Sequence, residues 1–433
     1  MGEQSLLLMV SDRMDANKKD GRNEHALLRC SSTTREAIGN TISTLNLLGD
    51  KSSVSLNIHQ AYIDDLKLLK INDKLPIADV SKVAFVTTEI MRKLIGNTDL
   101  KVVPIKCGVP KLKPTLLGAD PEFLLFNNDG NIVRAVNVIQ KAGKIGSDGA
   151  MIEVRPDPST DPKDVVENIR SIFCNKHLTE PVSKYKWVAG IYHKDVVRDY
   201  PVGGHIHIGN PENIDKISQD AKKSLFAVLN KILDELLALP MIKLDGAELG
   251  KARRSECKMS VVGTSGYGFY GEWRPCQGHL EHRTLSGLWL AHPKLSEYVL
   301  GTAKAIADAA YSYVVAKGFS VEAFKHPDIN HHDHKYLYGS GFDSWADIPL
   351  AKELDCISGS GLMANLLNNS RASSITSKFL KDWYVKLQRI ETYNEYASYI
   401  DGLYEVLCLT QRSLSKLDLD IKKNWVDGNA FII

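Results

Sequence analysis

The sequence predicts an α+β protein, and three observations predict it. From Leu116 onward, short strand-like segments follow one another, and from Leu288 to the end apolar residues recur mainly with helical spacing. Ahead of both lies a first unit of mixed strand and helix character, residues 1–113. Five stretches of the middle region also place charged or imidazole side chains at positions i and i+2 among apolar neighbours. That period belongs to strands, whose alternate side chains share a face.

In the first unit, SLLLMV and HALLRCSS read as strands. TREAIGNTISTLNLLG has helical spacing behind Thr33 or Thr34 as N-cap, and ADVSKVAFVTTEIMRKLIGN reads as a second helix ended by Gly96-Asn97. The unit carries no site chemistry and is expected to be an accessory α/β domain. PIKCGVPKLKP, with three prolines in eleven residues, marks the boundary to a second domain, 114–433.

There LLGADPEFLLF, NIVRAV, MIEVRP, KWVAGIYH and GGHIHIG read as strands, with NNDGN (127–131) as a hairpin turn between the first two. DPKDVVENIRSIFCNKHL is an amphipathic helix, and DKISQDAKKSLFAVLNKILDELLALPMI a long one expected to end at Pro240. VVGTSGYGFYGEW is a glycine-rich loop, expected to act as a lid with Gly263, Gly266, Gly268 and Gly271 as its flexible points. KLSEYVLGTAKAIADAAYSYVVAKG and DWYVKLQRIETYNEYASYIDGLYEVLCLTQRSL supply the helical C-terminal part, 296–433.

With 433 residues, 43% apolar, 24% charged and a formal charge of +2, the composition is that of an ordinary globular protein. No block of Lys or Arg supports general nucleic-acid binding. No apolar run reaches the ~18 residues of a membrane helix. MGEQSL fits the loose myristoylation pattern, but LLLMV is read as a first strand, without a basic leader. Seven scattered cysteines without a CxxC argue against a disulfide framework, and the expected compartment is the cytoplasm.

The i, i+2 pairs are Asp120 and Glu122, Glu153 and Arg155, His205 and His207, Glu272 and Arg274, and Glu281 and Arg283. Stacking carboxylates, imidazoles and arginines on sheet faces is costly without partners. A metal ion with phosphate groups would neutralise both signs, so the pattern points to an enzyme handling a metal–nucleotide complex. Two readings stay open for Asp120 and Glu122: metal ligands, or a solvated strand edge favoured by Pro121. Arg253, Arg254, Arg274 and Arg283 suit phosphate through their planar forks, or form a ladder with carboxylates. His331, His332 and His334 form a cluster read as exposed rather than zinc-binding. There is no P-loop, no GxGxxG after a strand and no nucleophile elbow.

The ordered series GADPEF, IEVRP, GGHIHIG, YGFYGEWRP and HLEHRTLSGLWL, within residues 115–295, resembles the phage-type carboxylate–amine ligases (amidoligases) of the glutamine synthetase and glutamate–cysteine ligase superfamily. The resemblance implies a glutamine-synthetase-like curved antiparallel sheet flanked by helices, which binds ATP with Mg2+. It places Asp120, Glu122, Glu153, His207 and Glu281 at metal positions. It places Arg155, His205, Arg254 and Arg274 at the nucleotide, and Arg274, Arg283 and Glu281 in catalysis. Relatives begin the series with two glutamates, where this chain has Asp120. The implied reaction joins small-molecule or peptide carboxylates and amines through an acyl phosphate, in a host-cell cytoplasm if the chain is phage-encoded. The alternatives are a kinase on the same fold, an inactive virion-associated protein, and a histidine-based hydrolase.

Overall fold

The computed structural model describes residues 115–195, 198–257, 266–276, 278–325, 348–356, 360–409, 411–414 and 416–431. The expected first unit and its boundary, the histidine cluster at 331–334 and the glycine-rich loop up to residue 265 lie outside the described residues. Among the described residues the architecture is mixed α+β, a mostly antiparallel sheet with helices.

Alternation of apolar and polar residues from Leu117 to Phe126 produces the ten-residue strand β1, the centre of the sheet. The turn after it forms as the NNDGN signal requires: Gly130 takes a positive φ of 80°, and Asn127 N donates to Asn131 O at 3.0 Å. The strand beyond is short, β2 (Ile132–Val133), because Ala135–Asn137 winds into a 3-10 turn. β3 (Ile145–Asp148) and β4 (Met151–Val154) follow as a hairpin. KWVAGIYH divides into β5 (Lys186–Val188) and β6 (Tyr192–Lys194), and β6 pairs with β7 (Asp199–Pro201) in a separate two-stranded sheet. β8 (Gly204–Gly209), β9 (Trp273–Cys276) and β10 (His279–His282) complete the set. The main sheet runs β3-β4-β1-β8-β10-β9, with β2 and β5 also paired to β1.

Pro121 therefore sits in a central strand, not at an edge, with β4 and β8 on either side of β1. Its missing N–H is tolerated because the next residue carries the backbone bond: Glu122 N donates to Gly203 O at 2.8 Å.

The opposite face of the sheet is apolar. Ala119, Phe123, Ile206, Ile208, Trp273 and Leu280 are buried there. Helix α1 (Pro162–Cys174) starts at Asp161, whose carboxylate accepts from Lys163 N at 2.9 Å, with Pro162 at the first helical position. It buries Val165, Val166, Ile169, Ile172 and Phe173, a stripe at helical spacing. Phe173 meets Phe123 of β1 and Trp187 of β5, and also Trp425 near the C-terminus.

The long helix expected to stop at Pro240 does not. α2 (Gln219–Leu233) runs into a π-turn, Asp234–Ala238, and continues as α3 (Leu239–Asp245). The wider π-turn relieves the clash between the proline ring and the preceding turn, so the chain stays helical. The same π-turn directs Asp234 to His282 on β10 at 2.8 Å and to Gly271 N at 2.6 Å, which ties this helix to the site strands.

The C-terminal helix α4 (Pro293–Ala316) follows the predicted periodicity, while the stretch read as one helix from Asp382 onward breaks at Ile390, which is extended, into α5 (Ser377–Arg389) and α6 (Tyr393–Cys408). α4 and α6 approach closely where Gly301 meets the Tyr399 ring and Gly402 meets the Tyr298 ring, places where a Cβ would collide. Among the described residues, no helix is long and apolar enough to cross a membrane.

Candidate active site

Register assembles the polar face from separate strands. Asp120 lies opposite His205, and Glu122 opposite Glu153. Glu281 lies opposite His207 on one side and Arg274 on the other. Directly opposed residues of an antiparallel pair point to the same face. Asp120, Glu122, Glu153, His205, His207, Arg274 and Glu281 thus belong to one surface, spread over β1, β4, β8, β9 and β10.

At its centre, ligand atoms of Asp120, His205 and Glu281 all lie within 4.8 Å of one another. His205 Nδ1 is 3.1 Å from Asp120 Oδ1 and 3.6 Å from Glu281 Oε1. His207 Nε2 approaches the same Asp120 oxygen at 3.1 Å, while its Nδ1 shares a 2.7 Å hydrogen bond with His279. Asp120 Oδ1 and His207 Nε2 are buried and 3.1 Å apart, and neither makes a well-aligned hydrogen bond among the described residues. Buried polar atoms without well-aligned partners are costly, and a cation would satisfy both. The donor set fits a divalent cation: carboxylate oxygens suit magnesium or manganese, and imidazole is compatible with the latter.

The charges around this centre are strongly coupled. Burial alone would raise Asp120, but His205 and His207 outweigh it and hold the carboxyl well below its usual range. Burial likewise opposes ionisation of Glu281, yet His205, Arg283 and Arg274 bring it below the ordinary value. Glu122 goes the other way. Burial pushes it up to about 7, only partly offset by His205 and by the Gly203 N–H that donates to its Oε2 at 2.5 Å. Burial also raises Glu153, reinforced by Asp120, against the pull of Arg155.

Glu122 and Glu153 stand beside the cluster with protein partners of their own. Glu122 faces Gly203 N and the Tyr267 hydroxyl, and Glu153 pairs with Arg155 at 2.6 Å. The imidazole within 4 Å of both carboxylates of the cluster is His205, which the resemblance gave to the nucleotide; His207 makes its carboxylate contact with Asp120. Arg283 holds Glu281 Oε1 at 2.5 Å and Glu272 Oε1 at 3.4 Å, under the Tyr267 ring. Arg274 reaches Glu281 Oε2 at 3.3 Å while remaining 54% exposed, so it keeps donors for a ligand.

Arg254, which the resemblance gave to the nucleotide, is fully buried, paired with Asp245 and donating to Gly268 O at 3.2 Å. Its neighbour Arg253 is equally buried and donates to the carbonyls of Val202, Thr284 and Leu285 at 3.0, 2.8 and 2.7 Å. The π-turn Ala252–Glu256 turns both arginines inward, which residue type could not reveal. Removing one partner of such a buried pair leaves a charge without compensation. Asp245→Ala is expected to lower stability by about 3–5 kcal/mol, read from the midpoint of denaturant unfolding.

The described part of the glycine-rich loop is packed rather than hinged. Tyr267, Phe269 and Tyr270 are buried, and a Cβ at Gly266 or Gly268 would strike the Arg253 and Arg254 backbone or the Arg253 guanidinium. These glycines allow close approach to the arginines. Gly203 serves the same purpose: a Cβ there would crowd His205, Tyr267 and Glu122. Tyr267 is the residue that sequence reading assigned to the lid. Its hydroxyl shares a 2.5 Å hydrogen bond with His205 Nε2 and fixes that ring. His279 was within reach of the sequence, since it stands at i−2 from Glu281 and repeats the strand spacing.

Two cavities open beside the cluster. One, of about 530 Å³, is lined by Asp120, Glu153, Arg155, His207 and His279, with Pro156 and Pro158 on its wall. The other, of about 380 Å³, is lined by Glu122, Tyr267 and Arg283 and extends to Arg134, Asp148 and Arg198. Both sizes fall in the ~300–1,000 Å³ range of ligand pockets. The larger cavity takes in Asp120 and His207 of the cluster, and the smaller one takes in Arg283 and Tyr267, which contact Glu281 and His205.

The family model for phage phiEco32-like COOH.NH2 ligase, type 2, matches residues 117–348, more than half of the chain. The matched span contains every strand of the polar face. No curated protein matches the chain. The chain belongs to this COOH.NH2 ligase family.

Proposed function

We propose, from that membership, that the protein is an ATP-dependent carboxylate–amine ligase that forms an amide or peptide bond through an acyl phosphate. The observation that carries the reading is the Asp120–His205–Glu281 cluster, with its unsatisfied Asp120 and His207 atoms, ringed by Arg283, Arg274 and Arg155. A carboxylate does not acylate an amine directly, because its oxygen is a poor leaving group. Attack of the carboxylate oxygen on the γ-phosphorus of ATP forms a C–O–P linkage and releases ADP. Attack of the amine on the acyl carbon then forms the C–N bond and releases phosphate, while the amine gives up a proton.

Two anions must meet in the first step. Magnesium held by Asp120, His205 and Glu281 would supply positive charge to screen that approach. Arg283 offers a planar fork at the edge of the cluster, fixed by Glu281 and Glu272, to stabilise charge on the phosphoryl in flight. Arg274 and Arg155, both partly exposed, are suited to the nucleotide phosphates. Tyr267 keeps His205 in one orientation. Glu122, on the wall of the smaller cavity, is a carboxylate placed to take the amine proton. Glu153 is proposed as a further contact to the metal–nucleotide complex from the larger cavity. Substrates are proposed to be small-molecule or peptide acids and amines, met in a cytoplasmic setting.

Calorimetry with ATP tests the nucleotide step. Binding is expected with magnesium and is expected to weaken at least about tenfold, or roughly 1.4 kcal/mol, when the metal is chelated. Absence of heat in both conditions, with the protein folded, would overturn the reading. Product analysis by mass, after incubation with pooled acids and amines, separates the chemistries: a condensed amide supports the ligase, and a stable phosphorylated product identifies a kinase.

A further inference from the structure

We infer that Asp234, the first residue of the π-turn after α2, is a positioning residue that holds Arg283 against Glu272 and Glu281. Its part in the reaction rests on the ligase reading above; the positioning rests on contacts that stand without it.

Along β10, successive side chains point to opposite faces of the sheet. Glu281 and Arg283 share the polar side, so His282 between them enters the apolar side, opposite Ile206 of β8 and Trp273 of β9. His282 is fully buried there, and so is Asp234. A polar pair in apolar surroundings adds little net stability, and apolar side chains of similar volume would pack there at lower cost. What a directional bond adds is a defined position. His282 Nε2 lies 2.8 Å from Asp234 Oδ1, while its Nδ1 makes no hydrogen bond among the described residues. The ring is thus oriented by Asp234.

The other oxygen of Asp234 completes a clamp. Gly271 N donates to Oδ2 at 2.6 Å, from a glycine whose φ of 84° few other residues adopt. His282 and Gly271 are the chain neighbours of Arg283 and Glu272. One carboxylate therefore holds the backbone beside each member of that ion pair. The pair's own contacts are long: Arg283 N reaches Glu272 O at 3.3 Å, and Arg283 Nε reaches Glu272 Oε1 at 3.4 Å. Asp234 supplies the constraint they lack. Glu272 is further fixed by Gly268 N, which donates to its Oε2. From that position the guanidinium also reaches Glu281 Oε1 at 2.5 Å. α2 is itself seated on this side of the sheet, where Phe226 meets Trp273 edge-on with ring centroids 6.4 Å apart. π-turns inside helices are frequent at functional sites, and this one aims a carboxylate at the strand that carries Glu281 and Arg283.

Arginine labelling of the full chain with phenylglyoxal, read by peptide mass, tests this. In the wild type, Arg274 at 54% exposure is expected to react, and the buried Arg253, Arg254 and Arg283 to be protected. An asparagine offers one acceptor oxygen to two donors. Asp234→Asn should therefore free Arg283 into the cavity it lines and speed its labelling at least about tenfold. His282→Leu should do the same, whereas His282→Gln, whose amide can donate to Asp234, should keep the protection. Arg253 and Arg254 should stay protected throughout. Unchanged Arg283 labelling in Asp234→Asn, or equal labelling in His282→Leu and His282→Gln, overturns the inference. So does exposure of Arg253 and Arg254 along with Arg283, which marks a role in folding alone. Calorimetry with Mg-ATP, and turnover with the pooled acids and amines, separate the two claims. Asp234→Asn should lower turnover roughly 10–10²-fold with little change in ATP affinity. Released Arg283 with unchanged turnover removes Asp234 from the reaction. Released Arg283 in a protein that binds no ATP sinks the ligase reading and keeps the positioning role, and ATP binding with Arg283 still protected does the reverse.

Discussion

Glu281→Gln is expected to lower turnover by on the order of 10²-fold or more while the protein remains folded. Glu281 sits at the crossing of four polar interactions. It faces His205 at 3.6 Å, accepts from Arg283 at 2.5 Å, reaches Arg274 at 3.3 Å and accepts from the Cys276 thiol at 3.2 Å. Its pKa lies below the ordinary value, so the side chain is anionic at neutral pH. Glutamine keeps the shape and the oxygen but removes the charge that a divalent cation needs. Arg283 retains Glu272 as a counter-ion, which preserves local folding. The measurement is ADP release under saturating Mg-ATP and substrate, beside a circular dichroism melt. Turnover within a few-fold of wild type would mean that Glu281 serves only as a structural counter-ion to Arg283.

Arg283→Lys is expected to reduce turnover by roughly 10²–10³-fold with a much smaller change in ATP affinity. Lysine preserves one positive charge but cannot span Glu281 and Glu272 as the guanidinium fork does, nor lie under Tyr267 in the same way. Because Arg283 lines the smaller cavity and holds Glu281 at once, the loss should fall on the transferring phosphoryl group of the proposed reaction. Parallel calorimetry and turnover measurements separate the roles. A full loss in ATP affinity with unchanged turnover would assign Arg283 to ground-state nucleotide binding instead.

Much of this surface was legible in the chain because strand faces are a local property. An alternating pattern identifies which side chains share a side of β1, β8 or β10 without knowledge of their neighbours. Asp120 with Glu122 and His205 with His207 could be read in that way. Arg254 could not, because its residue type and its place in a basic pair are the same whether it points out or in. Its burial depends on Asp245, nine positions away, and on Gly268 beyond the π-turn. Tyr267 was visible only as an aromatic among glycines, since its partners Glu122 and His205 lie 145 and 62 residues away.

The sequence by itself determined the strand and helix character of the middle and C-terminal regions, the side of each strand that is polar, and the family to which the ordered motifs point. Those follow from periodicity and from short runs of residue types, which act over a few positions. Only the tertiary structure decided that His205 rather than His207 faces two carboxylates, that Pro121 lies inside the sheet, and that Arg134, Asp148, Arg198 and Asp199 close around one cavity. Register, long-range burial and the meeting of separate turns fix those outcomes. They depend on which backbone bonds and apolar contacts form between distant segments, and no local pattern encodes that choice.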